Sequence, residues 1–361
     1  MTELRAWDSV CRQDRILPFL RLTTSLPRLT SLRLTKVHLS RLPAAALAQT
    51  VLNTPHVEID PLNHSLSPYQ ATVLLTTLAS HPRPLLTHLS LLHCSLTQAP
   101  AHLLATTVAK LTSFSALWVE LTQEQVVAMI SALAAHDSKL RSLVMPDYYT
   151  AEVATRAVDP AILVEALASL ETLTYGCHVP PQLWPRLARG ETRLRSLTVQ
   201  RRFLMDLSPT VLAGAINILK QVDFEQNFPE DEGSEYVDCF TRDQVKEVFE
   251  QMAKKTNLKK VSLEISEENI LNHLELPNGL FAQALVNVED LTIHVKNEPH
   301  FYPELEELMI LCTKPSKNHK LKRLSISVSS TSGHKFCLPS SLVSDVVLQV
   351  GEVRLIGCID V

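Results

Sequence analysis

The residues best suited to recognition chemistry in this 361-residue chain gather around one tryptophan. Trp118 has Glu120 two positions on, Leu92 in an earlier segment, and Val144, Tyr148 and Tyr149 in a later one. Tryptophan and tyrosine combine large apolar area with a polar tip, the composition of an interface hot spot. Further along, Asp223, Glu225 and Glu264 would orient the basic groups of a partner. Covalent and metal chemistry are poorly supplied. The seven cysteines are scattered, and Cys177-His178 has no second ligand pair in register. The fourteen histidines form no HExxH or H-x3-H spacing. Only eight glycines occur, none in a nucleotide cradle or a nucleophile elbow, where backbone must approach a ligand closely. No enzymatic activity, metal or cofactor is expected.

Two charged stretches have plainer readings. Residues 225–238, Glu-Gln-Asn-Phe-Pro-Glu-Asp-Glu-Gly-Ser-Glu-Tyr-Val-Asp, read as a solvated insertion after a strand. Residues 313–323 gather five basic side chains at a helix end and the loop before a strand, where positive charge suits the helix dipole.

The elements that carry these residues announce themselves by period. The pattern L-x-x-L-x-L-x-x-C-x-L is filled by Leu86, Leu89, Leu91, Cys94 and Leu96. Leu29, Leu32, Leu34, Val37 and Leu39 fill it earlier; Leu140, Leu143 and Met145, then Leu170, Leu173 and Tyr175, fill it later. For the stretch holding Trp118, the pattern is assigned to Phe114, Leu117 and Val119. Further copies run to Val350, Val353, Leu355 and Cys358, twelve in all, spaced 24 to 39 residues apart. Cys94 and Cys358 occupy the motif's own cysteine slot and are expected to be buried.

Two repeat types alternate. Before every second strand a proline opens a helix: Pro43, Pro100, Pro160, Pro209, Pro277 and Pro339. Proline suits a helix start because the N–H it lacks would be unpaired there. The other type begins with a capping box, as at Thr122 with Gln125, with a second cap at Thr241. The apolar spacing of Val126, Met129, Ile130 and Leu133 predicts a helix with one buried face. One such repeat cannot bury its apolar face alone, so neighbours must stack.

These alternating motifs resemble the ribonuclease-inhibitor-type leucine-rich repeats, which include the sensor domains of NOD-like receptors. The resemblance covers residues 16–361. It implies an α/β solenoid, a horseshoe of about twelve repeats with a parallel concave sheet and convex helices. It also implies a protein partner held on the concave face, as in the sensing part of a larger receptor. Two other roles suit similar repeats: substrate recognition for a ubiquitin ligase, and GTPase activation, for which Arg41 is the residue to test. This chain is poorer in cysteine and less acidic than the ribonuclease inhibitor, so ribonuclease inhibition is not implied. Trp118 and Val144 then fall between two strand apolars, facing the partner, with Leu92, Glu120, Tyr148 and Tyr149 beside them.

Composition agrees with a binding module. The net charge of −4 gives no general attraction to nucleic acid, and no apolar run is long enough to span a membrane. Residues 1–200 carry 17 basic and 14 acidic side chains; the remaining 17 basic and 24 acidic make the second half the negative one. The odd, scattered cysteines point to a reduced, cytoplasmic protein. Residues 1–15 are expected to be a short cap on a repeat domain of residues 16–361. The chain stops inside a strand-like segment, which reads as truncation of a longer protein.

Overall fold

The computed structural model describes residues 2–7, 29–37, 39, 42–61, 66–82, 84–135, 137–145, 156–176, 179–199, 204, 206–223, 241–254, 258–266, 279–296, 302–313, 320–329, 340–350 and 352–357. Two compact units divide the chain, Met1–Pro180 and Pro181–Val361. In the first, β1 (Thr2–Trp7), β2 (Leu29–Val37), β3 (His56–Pro61), β4 (His88–Leu92), β5 (Ser113–Leu117), β6 (Ser142–Met145) and β7 (Thr172–Tyr175) lie in sequence order. The pairs are parallel. In the second, β8 (Ser196–Val199), β9 (Gln221–Asp223), β10 (Lys260–Ser266), β11 (Asp290–Lys296), β12 (Arg323–Ser329) and β13 (Glu352–Gly357) do the same. Among the described residues that is one strand more than expected. The addition is β1, inside the segment read as a cap.

Parallel neighbours need a crossover, which helices supply. The first unit has α1 (Ala44–Leu52), α2 (Pro68–Ser80), α3 (Ala101–Lys110), α4 (Gln123–Ala134) and α5 (Pro160–Ala168). The second has α6 (Leu183–Ala188), α7 (Pro209–Ile218), α8 (Arg242–Lys254), α9 (Leu280–Leu285), α10 (Tyr302–Thr313) and α11 (Ser340–Val350). Within each unit every helix packs on the next. Pro160 and Pro209 stand at the first helical turn, and Pro43 and Pro100 at the N-cap. Pro277 and Pro339 lie outside the described residues.

The strand apolars stack into rows. Leu32, Val57, Leu89, Phe114, Leu143 and Leu173 are register partners across β2 to β7, and all are at most 3% exposed. Leu197, Val222, Val261, Leu291, Leu324 and Val353 are the equivalent register partners in the second unit, with Leu197, Val261, Leu291 and Leu324 buried. Such rows give each repeat a core only because its neighbours are present.

One repeat departs from the expected register. Phe114 pairs with Leu89 and Ala116 with Leu91, so Leu117 stands opposite Leu92 rather than in the core row. The motif in this repeat is filled by Leu111, Phe114, Ala116, Val119 and Leu121, all buried. Alanine at the second strand position leaves Leu117 half-buried on the other face. Trp118 therefore follows β5 instead of sitting between two core residues.

Both expected caps form, and they do more than end a helix. Thr122 Oγ1 accepts from Gln125 N–H at 3.2 Å, and Gln125 Oε1 accepts from Thr122 N–H at 2.8 Å. The same glutamine is buried and donates through Nε2 to Leu96 O at 2.6 Å and Ala99 O at 2.7 Å, in the turn of the preceding repeat. Gln70, in a box with Ser67, donates to Leu39 O and Leu42 O. Gln244, in a box with Thr241, donates to Leu204 O and Leu207 O. In these three pairs the glutamine clasp ties the alternating types together: one repeat presents turn carbonyls before its proline helix, and the next supplies the amide that satisfies them. The helix at Leu183–Ala188 has no such cap bond. Gln125→Leu should cost about 2 kcal/mol, because it leaves buried polar groups without partners. Urea denaturation checks this; a loss no larger than that of an exposed substitution would show the clasp to be dispensable.

Candidate binding face

Alternation along each strand sends every second side chain away from the leucine rows. In the first unit these outward positions begin with charge. Glu3 pairs with Arg5 at 2.9 Å and with Arg33 at 3.3 Å, and Arg33 reaches Glu58 at 3.5 Å. The hydrogen bond from Arg5 holds the Glu3 carboxyl below its ordinary range, with Arg5 and Arg33 adding attraction. All four groups are substantially exposed, so the chain of pairs shapes the surface without adding much stability.

Next come two histidines. His56 and His88 stack with ring centroids 4.0 Å apart, and His88 Nδ1 lies 2.8 Å from Thr87 Oγ1. Burial, and then the neighbouring His56, lower the His88 pKa. Ser90 and Ser115 continue the face as a low floor, with Val144 beyond them on β6.

After the floor the surface rises at the ends of β4 and β5. Leu92 and Leu117 are paired and half-buried. The residues after them, His93 and Trp118, have φ of 49° and 56°, the left-handed region. That backbone costs a bulky L-residue about 1–2 kcal/mol, yet it occurs twice at equivalent places. Local hydrogen bonds hold it: His93 N–H donates to Leu117 O at 3.0 Å, and Glu120 N–H to Cys94 O at 3.0 Å. Pairing then resumes as a Ser95–Glu120 bridge. The kink turns Cys94 and Val119 into the core and leaves the rings outside, parallel within 1° and 6.3 Å apart. Trp118 is 47% exposed, and Glu120 is exposed beside it.

The leucine rows, their register and the buried Cys94 slot decide the architecture. Each unit is a leucine-rich-repeat array. No family model matches the chain, and no curated protein does either. Two solved structures are similar to it. One is the leucine-rich-repeat-containing protein LegL7 from Legionella pneumophila, with 13% identity, 97% of this chain and 98% of that one covered, and a TM-score of 0.42. The other is the TLR13–ssRNA13 complex, with 13% identity, 93% of this chain and 44% of that one covered, and a TM-score of 0.38.

In the second array the outward positions of β10 to β13 form a polar depression of about 300 Å³. Its charges largely satisfy one another: Arg323 pairs with Asp290 at 2.7 Å and Arg354 with Glu352 at 2.8 Å. At its border Lys322 bonds Glu289 at 2.7 Å, and this bond above all lowers the Glu289 pKa.

The expected site residues divide accordingly. Leu92, Trp118, Glu120 and Val144 belong to the first array, with Leu92, Trp118 and Glu120 brought together at the ends of β4 and β5. Asp223 and Glu264 belong to the second, opposite Thr198 and His294 respectively. Tyr148, Tyr149, Glu225, Arg41, Cys177, His178 and Cys358 lie outside the described residues, as does the stretch 225–238. His93 is the residue that sequence reading overlooked. Its signal is the match of Ser90-Leu-Leu-His-Cys-Ser-Leu with Ser115-Ala-Leu-Trp-Val-Glu-Leu, which sets His93 against Trp118.

Among the described residues, no helix is long and apolar enough to cross a membrane. The thiols of Cys94 and Cys312 are pushed up to about 12 by burial, so neither is an available nucleophile at neutral pH.

Proposed function

We propose that the chain is a cytoplasmic protein-recognition scaffold whose first array holds a protein partner on its outward sheet face, with Trp118 as the anchor. The observation that carries this reading is a 47%-exposed tryptophan, held out by strained backbone beside small and half-buried neighbours. Large exposed aromatics next to a low floor suit the filling of a partner's pocket. The free, buried Cys94 and Cys312 suit a reducing compartment. The reading is one of binding without catalysis.

Affinity capture from native lysate with wild-type and Trp118→Ala protein, compared by mass spectrometry, tests it. Partner capture should weaken by about 2 kcal/mol while the melting temperature stays nearly unchanged. Identical capture would remove Trp118 as an anchor. Loss confined to captured RNA would move the reading from protein to nucleic acid.

A further inference from the structure

We propose that the His93–Trp118 ring pair and the Glu120 carboxylate form a receptor for an arginine side chain carried by an extended partner segment. The inference rests on the partner-binding reading above and names the chemistry of the anchor. The two rings present parallel π faces with centroids 6.3 Å apart, and a planar guanidinium stacks on an aromatic face more readily than an aliphatic side chain does. Trp118 and Glu120 flank the inward Val119, and both are exposed. The Ser95–Glu120 bridge places the Glu120 backbone beside the chain segment that carries His93.

Charge complementarity selects the occupant. Glu120 is exposed, and no ion pair among the described residues reaches its carboxylate. Asp60 follows the inward Ile59, the register partner of Leu91, and so brings a second carboxylate to the strand beside β4. The arginines on the outward face of β1 and β2, Arg5 and Arg33, are already paired with Glu3 and Glu58. A guanidinium can lay its face on the indole while its N–H fork meets Glu120, satisfying both halves of the site at once.

The test follows the Trp118 indole N–H resonance of the full chain, assigned by its loss in Trp118→Phe, during titration with three blocked tripeptides. Their central residues are arginine, citrulline (same shape, no charge) and leucine; a short oligouridine is the fourth probe. The arginine peptide should shift the resonance and bind at least about threefold more tightly than the citrulline one. Glu120→Gln should weaken the arginine peptide by a similar factor and leave the leucine peptide unaffected. Citrulline or leucine binding equal to arginine, no effect of Glu120→Gln, a shift with oligouridine alone, or a resonance that no probe moves would each overturn the inference. Binding of leucine alone would leave an apolar Trp118 anchor standing. Arginine binding combined with capture indifferent to Trp118→Ala would instead sink the partner reading and keep the receptor.

Discussion

Phe114→Ala should destabilise the first array by about 3–5 kcal/mol, the usual cost of removing a fully buried aromatic ring. Trp118→Ala, four residues on, should change stability by no more than about 0.5 kcal/mol, as exposed substitutions do. The contrast follows from β5 register. Phe114 is 0% exposed, stands in the core row between Leu89 and Leu143, and has no polar group to compensate its loss. Trp118 lies past the strand, where truncation opens no cavity. Urea denaturation of the two variants measures both values. The reverse ranking would restore the register in which Leu117 and Val119 are the core pair.

Leu89→Ala should cost about 2–5 kcal/mol and loosen the array locally. Leu89 is 2% exposed and pairs with Val57 on one side and Phe114 on the other. The cavity therefore opens onto the repeats of β3 and β5 first. Because each repeat touches mainly its neighbours, amide exchange should rise most from β3 to β5 and least at β7. A uniform rise along β1 to β7 would show that the first array unfolds as one block instead.

Much of this architecture was legible because a leucine row needs only side-chain type and spacing. Leu86, Leu89, Leu91 and Cys94 occupy the slots the motif assigns them, and the Thr122–Gln125 box closes as its spacing predicts. The error at Trp118 has a specific cause. Leu117 and Val119 imitate the strand pair, whereas the true pair contains Ala116, whose small side chain carries little apolar signal. The left-handed backbone at Trp118 leaves no mark either, because glycine, the usual sign of positive φ, is absent there. β1 went unseen since Thr2-Glu-Leu-Arg-Ala-Trp7 has no leucine spacing and gains its place from β2 alone. The second role of Gln125 was hidden by distance: its carbonyl partners are 26 and 29 residues away. The paired occurrence of Leu-x-x-Leu or Leu-x-x-Ala ahead of proline, and Ser/Thr-x-x-Gln after it, carries that information.

The glutamine clasp also sets where such a chain tolerates rearrangement. Removing the repeat that holds Gln125 while keeping its predecessor strands the Ala99 carbonyl and leaves Leu96 O with the Ala99 N–H as its remaining partner. A breakpoint between Ser80 and Leu86 divides no clasped pair, because Gln70 and its carbonyls stay together on one side, and Gln125 and its own on the other. Where a clasp is present, the smallest module that can be duplicated, deleted or grafted without breaking it is thus the pair of repeats it joins. A lineage that lengthens or shortens the clasped stretches by slippage would keep the products that change by two and lose those that change by one.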